Sequence, residues 1–452
     1  MMSNIIDYLK DPHLVARIQR YYGIEVLEPP KLKSTALTCN VGNNVRNSVD
    51  KERSDRGIIK LKKHSDSKLV EESNAHNLNI NCDSKKSINN RNQCNGYISS
   101  ELDEDETFSS ESEPESKGYV ITNWMWYYLF VLGTALGDEI FYASFIPFWF
   151  WNIDGAVGRR VVLVWTVIMY IGQGIKDVVR WPRPSCPPVV RLQVKWALEY
   201  GMPSTHAMVG VSIPLSVILY TMNRYQYSVS LGVLFAVGWC SIICLSRLYL
   251  GMHSVLDIVA GVALALILMI PVVPVVDALD HYLLTNRWSP IILLTVAICL
   301  VVFYPSSDRW TPTRGDTTMV VSVCVGVHIG AWTNYQLGVL SESPDSPPYA
   351  IIWPSYEMLG LSALRTVIGF CCIVATRALC KSASYATVCT LLRLNSLELR
   401  KSQNSIENRQ KITVELSYKF ITYALLGFNT LYLLPNVFRL IGIERPTFYT
   451  EI

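Results

Sequence analysis

The stretch SRLYLGMHSVLD, Ser246 to Asp257, sets an arginine, a histidine and an aspartate in one of the most apolar parts of the chain. Ionisable groups inside a membrane segment are costly, face a protein interior or a wet cavity, and tend to mark function. In one continuous helix, Arg247, His253 and Asp257 would be stranded in hydrocarbon. If one helix ends here, turns at Gly251 and gives way to the next, the same residues meet at an interface. His253 and Asp257, four apart, then share a helix face.

The flanking pattern favours the turn. From Trp124 onward the chain is a series of long apolar runs separated by short charged punctuation. A transmembrane helix needs about 20 mainly apolar residues. Runs near 124–150, 158–178, 206–222, 228–246, 254–275, 288–304, 318–339, 362–380 and 418–441 predict an all-α, polytopic membrane helical bundle of about nine spans, with eight or ten as alternatives. In the first run Gly137, Asp138 and Glu139 fall mid-span, so this acid pair is expected to pack against other helices. The aromatic cluster PFWFW at 147–151 is expected at a membrane interface.

Of the 452 residues, 50% are hydrophobic and 17% charged, and a net charge of +3 is too small to argue for a nucleic-acid partner. Cys240, Cys244, Cys299, Cys324, Cys371 and Cys372 lie inside apolar runs and read as small packing residues, without zinc-ligand spacing. Asp7, Lys10, Asp11 and Arg17 interrupt the first thirty residues, so no cleavable signal is expected there. Ile5, Leu9, His13, Val15, Ile18 and Tyr21 instead make an approximate amphipathic stripe, restarting at Pro12. Four regions follow: a short amphipathic helical region at 1–30, a polar segment at 31–121 expected to be disordered, a catalytic membrane core at 122–280, and further transmembrane helices at 281–452.

Two more polar stretches accompany the first. KDVVRWPRP carries Lys176 and Arg183 seven apart, with Pro182 expected to end the helix between them. In MPSTHAM, Ser204 and Thr205 precede His206 and an apolar run, a helix N-terminal signal whose free N–H groups favour an anion. The set suits a phosphate monoester. Lys176, Arg183 and Arg247 can neutralise a dianion. A histidine oriented by Asp257 can attack phosphorus through its free ring nitrogen, and a second histidine can protonate the departing alkoxide. No separate Asp and Glu cluster remains for a two-metal centre, so the cations are expected to stabilise the transition state without metal, and no cofactor is expected.

In order and spacing these stretches resemble the three signature motifs of the type 2 phosphatidic acid phosphatase (PAP2) superfamily: Lys176, Arg183 and Pro184 as K-x6-RP; Pro203, Ser204 and His206 as PS-x-H; Ser246, Arg247, His253 and Asp257 as SR-x5-H-x3-D. The resemblance implies that His253 is the nucleophile, Asp257 its orienting acid and His206 the leaving-group acid. Lys176, Arg183, Ser204, Thr205 and Arg247 would cradle the phosphate. Thr205 stands where the family's second motif usually has glycine, so a β-branched residue must still allow close approach.

The longer stretches FIPFWFWN, YGMPSTHAM, CLSRLYLGMHSVLDIVAG and TRGDT, with LKDPHLVARIQRYYGI near the start, look most like the sphingosine-1-phosphate phosphatase family. That likeness implies a sphingoid base 1-phosphate entering from the bilayer and an endoplasmic reticulum membrane. The alternatives are a broader lipid phosphate phosphatase acting on phosphatidate or lysophosphatidate, and a catalytically silent lipid-binding membrane protein. A loop pairing of Arg314 with Asp316 would cap the helix starting near Thr318, and His328 reads as a core histidine. Lys381, Arg393, Arg400, Lys401, Arg409 and Lys411 share the motif side by nine-span counting and favour a cytosolic site. Arg159 and Arg160 on the other face, and the lumenal site of the similar glucose-6-phosphatase core, favour a lumenal one.

Overall fold

The computed structural model describes residues 2–27, 118–193, 198–305, 311–394 and 409–452, so nearly all of the polar segment expected at 31–121 lies outside the described residues. Two short helices open the chain, α1 (Met2–Leu9) and α2 (Pro12–Tyr21). Asp11 accepts the His13 N–H at 2.9 Å, and Pro12 sits in the first turn where its missing N–H costs nothing. The amphipathic stripe differs in detail from expectation. Val15 is fully buried, but Tyr21 is exposed and Gln19 is buried in its place.

Strand β1 (Ile24–Val26) pairs antiparallel with β2 (Tyr119–Ile121), with Ile24 opposite Ile121. The end of the expected polar segment is therefore a strand edge, and Leu27 N–H reaches Gly118 O at 2.9 Å.

The bundle follows as α3 (Trp124–Ala135), α4 (Glu139–Asn152), α5 (Gly155–Val179), α6 (Thr205–Thr221), α7 (Val229–Tyr249), α8 (Val255–Thr285), α9 (Ser289–Val302), α10 (Thr313–Gln336), α11 (Tyr356–Leu391) and α12 (Arg409–Phe428). A π-helical turn, Asn429–Leu433, joins α12 to α13 (Leu434–Leu440). Each of the nine runs coincides with helix, and the molecule is a multi-pass membrane protein.

Of the nine expected crossings, five helices among the described residues, or six if α3 and α4 make one bent span, are long and apolar enough to cross a bilayer by length and composition. At about 1.5 Å per residue, the 17 residues of α6 and 14 of α9 fall short of a hydrocarbon core of about 30 Å. Helix α10 is too polar for a different reason. It is buried on most sides by protein, so lipid does not select its composition. It begins at Thr313, five residues before the expected start, and Arg314 donates to the carbonyls of Val301 (3.1 Å) and Val302 (3.5 Å) at the end of α9.

Two further expectations change. Phe150 and Trp151 of the aromatic cluster are fully buried, with Trp151 Nε1 donating to Thr430 O at 3.0 Å, so they anchor α4 to the α12–α13 junction instead of lining an interface. The boundary at 280 lies within α8, and one apolar core runs on from Val162 and Met208 to Val320 and Leu431. Close helix contact depends on small residues. A Cβ on Gly326 of α10 would overlap Ala424 O of α12, and one on Gly427 would overlap Val323 O.

The helix ends fall into two groups. Asp154 at the start of α5 holds Arg224 and Tyr225, just after α6, each at 2.6 Å, and Glu451 accepts the Gly155 N–H at 2.5 Å. At the other end, Asp177 of α5 accepts from Tyr304 after α9 (3.0 Å) and from Thr313 at the start of α10 (2.5 Å). This second end carries all three motifs. Helix α2 docks there too, because Gln19 Nε2 donates to Val190 O (2.6 Å) and Tyr249 O (2.8 Å).

Gly251 makes the turn read from the sequence. Its φ is +69°, and a Cβ would overlap Val190 O. Gly251→Ala is expected to cost about 1–3 kcal/mol in backbone strain alone, with the overlap added, and a clear fall in the thermal unfolding midpoint in detergent checks this.

Candidate active site

Helix α5 ends where Arg180 adopts a left-handed φ of 55° and donates its N–H to Lys176 O at 3.0 Å. The chain therefore leaves the helix before Arg183, as Pro182 predicted, and Lys176 and Arg183 do not share a helix face. A carboxylate joins them. Glu199 Oε2 accepts from Lys176 Nζ at 2.7 Å and lies 3.7 Å from Arg183 Nη2, while Glu199 O accepts from Arg183 Nε at 2.9 Å. Burial alone would raise the pKa of Glu199, but Lys176 and Arg183 hold it below the usual carboxylate range. Sequence reasoning missed Glu199. It is the one acid between Asp177 and Ser204, a signal that was available.

Ser204 caps α6, its Oγ accepting the Ala207 N–H at 3.5 Å, and its own N–H is committed to Asp257 O at 3.1 Å. Gly261 permits this approach, since a Cβ there would come within 2.6 Å of Ser204 O. Thr205, in place of the family's glycine, accepts from Lys176 Nζ at 3.2 Å and so adds a hydroxyl to the cation cluster.

His206 follows on the first turn, and its Nε2 lies 2.9 Å from Asp138 Oδ1. The mid-span acid thus has a specific partner beyond the helix packing expected of it.

Arg247, on the last turn of α7, is fully buried. Its Nη1 donates to Thr134 Oγ1 (2.6 Å) and Gln193 Oε1 (3.0 Å). Its Nε and Nη2 are buried without a hydrogen-bond partner among the described residues. An arginine held on one edge with its remaining donors unused is ready for an anion, because buried unpaired donors are costly until one arrives. No local signal marks Thr134 or Gln193 in the sequence.

His253 lies in the turn between α7 and α8 and is 1% exposed. Its Nε2 is 3.4 Å from Arg183 Nη1. A guanidinium has no acceptor, so this contact is favourable only when Nε2 presents its lone pair. Burial, then the nearby Arg183, Arg247 and Lys176, push the pKa of His253 well below the ordinary value, which keeps the ring neutral. Asp257 Oδ2 lies 3.7 Å from His253 Nδ1, next to it but beyond hydrogen-bond reach. That oxygen accepts the Ser254 N–H at 2.7 Å, completing a capping box with Ser254 Oγ and the Asp257 N–H at 3.2 Å. The α8 cap thus holds the Asp257 carboxylate beside the ring, without the hydrogen bond to Nδ1 that the expected orienting role calls for.

All eight residues singled out from the sequence converge on this end of the bundle. They place a neutral imidazole nitrogen beside two arginines and a lysine, with a second histidine on the start of α6. Such an arrangement can bind a phosphoryl dianion and attack it.

Comparison with known proteins follows the same lines. Residues 158–280 match the PAP2 superfamily. The chain is similar to sphingosine-1-phosphate phosphatase 1 of Rattus norvegicus, 40% identical over 325 residues that cover 72% of this chain and 74% of that one. To sphingosine-1-phosphate phosphatase 2 of Homo sapiens it is 38% identical over 330 residues, covering 72% and 80%. Lipid phosphate phosphatase delta of Arabidopsis thaliana is 28% identical over 341 residues, covering 67% and 80%. No solved structure matches the chain.

Proposed function

Because this chain belongs to the sphingosine-1-phosphate phosphatases of the PAP2 superfamily, we propose that it removes phosphate from long-chain sphingoid base 1-phosphates by way of a phosphohistidine. The observation that carries the mechanism is the 3.4 Å approach of Arg183 Nη1 to His253 Nε2, which sets an anion-binding group against the nitrogen whose lone pair is to attack phosphorus.

The substrate dianion lies among Lys176, Arg183 and Arg247, with Thr205 and Ser204 at the α6 start completing the cradle. Its phosphate competes with the Glu199 carboxylate for Lys176 and Arg183. His253 Nε2 forms the N–P bond as the P–O bond to the sphingoid base breaks, and the leaving oxygen takes a proton from His206. Asp257, beside Nδ1, supports the positive charge that appears on the ring. Water then attacks phosphorus and gives a proton to His206, and the N–P electron pair returns to Nε2. The three cations stabilise the charge on the equatorial oxygens in both steps. Helices α5 to α8 and the loops between them carry the three motifs, and the family likeness supports an endoplasmic reticulum membrane.

In detergent micelles the purified protein is expected to release phosphate from sphingosine 1-phosphate, to keep doing so in EDTA, and to be blocked by vanadate as a mimic of five-coordinate phosphorus. Turnover of lysophosphatidate in the same assay decides between the sphingoid-specific reading and a broader lipid phosphatase. Equal kcat/KM on both substrates would overturn the specific reading, and no turnover of either would leave a lipid-binding protein.

A further inference from the structure

The least regular element near the site is the first apolar segment. Helix α3 stops at Ala135, α4 starts at Glu139, and their axes differ by 60°. A break in the middle of a span leaves backbone groups outside the helical ladder, which lipid does not permit and a protein-lined site does. The local turn keeps some of them, with Gly137 N–H on Thr134 O at 2.9 Å and Asp138 N–H on Ala135 O at 3.2 Å.

The break serves the catalytic end. Gly137 lies against the His206 ring, where a Cβ would come within 3.0 Å of His206 Cδ2. The next residue, Asp138, places Oδ1 at 2.9 Å from His206 Nε2. One turn earlier, Thr134 holds Arg247. All three residues lie before the stretch that matches the superfamily, 158–280.

The geometry points to Asp138 as the positioning residue of His206, set by the break between α3 and α4. This inference rests on the phosphatase reading above. His206 must carry a proton to the leaving oxygen in a site that already holds Lys176 and Arg247, whose charges oppose an imidazolium. The ionised Asp138 carboxylate offsets that charge, accepts the Nε2 proton and so fixes which ring nitrogen exchanges protons with substrate. In the first step the other nitrogen gives its proton to the sphingoid oxygen as the P–O bond breaks. In the second step the same nitrogen takes a proton from the attacking water. Asp138 stays ionised throughout.

A positioning role for a general acid depends on the leaving group. A primary alkoxide needs the proton, whereas a nitrophenolate departs as a stable anion. The test therefore compares sphingosine 1-phosphate with a nitrophenyl phosphate bearing a long alkyl chain, in the same micelles. Asp138→Asn is expected to lower kcat on sphingosine 1-phosphate by about 10²-fold, as for lost general acid catalysis, with little change in KM and less than about a threefold loss on the aryl ester. Combining Asp138→Asn with His206→Ala is expected to cost no more than His206→Ala alone, since a positioning residue has nothing left to position.

Asp138→Glu, which keeps the carboxylate, is expected to recover part of the lost kcat and serves if the asparagine variant does not fold. Equal losses on both esters, or additive losses in the double variant, would overturn the inference in favour of a structural role. Undiminished turnover of sphingosine 1-phosphate by Asp138→Asn would overturn it outright. Failure of the unsubstituted protein to act on either ester would instead refute the phosphatase reading.

Discussion

His253→Ala is expected to reduce turnover of sphingosine 1-phosphate by on the order of 10⁴- to 10⁶-fold, the scale on which nucleophile removal acts in enzymes with covalent intermediates. The loss should be large for alkyl and aryl esters alike, because each needs His253 Nε2 to form the N–P bond as its own P–O bond breaks. It should also abolish a phosphoenzyme that is stable to base and labile to acid, trapped from labelled substrate. Binding is a separate matter. Lys176, Arg183 and Arg247 remain, so vanadate or phosphate should still raise the unfolding midpoint of the variant. Turnover above a hundredth of the original, in a preparation free of other phosphatases, would remove His253 from the reaction. The ring is 1% exposed and its Nε2 lies 3.4 Å from Arg183 Nη1, so its truncation removes that contact and leaves a cavity, and the rise in midpoint with phosphate is the control that the variant is folded.

Arg247→Met is the second large effect, and it separates activity from stability. The guanidinium is fully buried, with Nε and Nη2 unpartnered among the described residues, so the resting protein carries an incompletely satisfied charge. Replacing such a group with an apolar side chain of similar volume is often neutral or stabilising. The variant's unfolding midpoint is therefore expected to equal or exceed that of the original chain, although Thr134 and Gln193 lose their partner. Activity should move the opposite way. Loss of one donor group aimed at transition-state charge costs about 10²–10³-fold in kcat, or about 2.7–4 kcal/mol. Arg247→Lys is not expected to restore it, because an ammonium cannot hold Thr134 and Gln193 on one edge while presenting two donors on another. A methionine variant with both normal kcat and a lowered midpoint would show that Arg247 is a structural charge.

The groups proposed as catalytic were legible because each motif sits where a helix meets a loop. At such places apolar periodicity stops, and a charged residue inside otherwise apolar sequence stands out. Gly251 was legible for a related reason, since only glycine suits a turn with positive φ so close to Val190 O. Other features could not be read locally. Glu199 and Asp138 were visible as acids, but their partners lie 23 and 68 positions away in sequence, and pairing across such distances carries no periodic signal. Thr134 and Gln193 are ordinary residues until Arg247 reaches them. The aromatic cluster at 147–151 misled because amphipathic rings suit both a membrane interface and a protein core, and burial alone distinguishes the two.

By itself the sequence determined that the chain is a helical membrane bundle with three PAP2-type motifs, because hydrophobic run length and residue chemistry are local properties. Tertiary structure alone decided that the first span is broken, and which carboxylates stand behind Lys176, Arg183 and His206. Those depend on which helix shields which from lipid, and on side chains that meet only after the chain has packed.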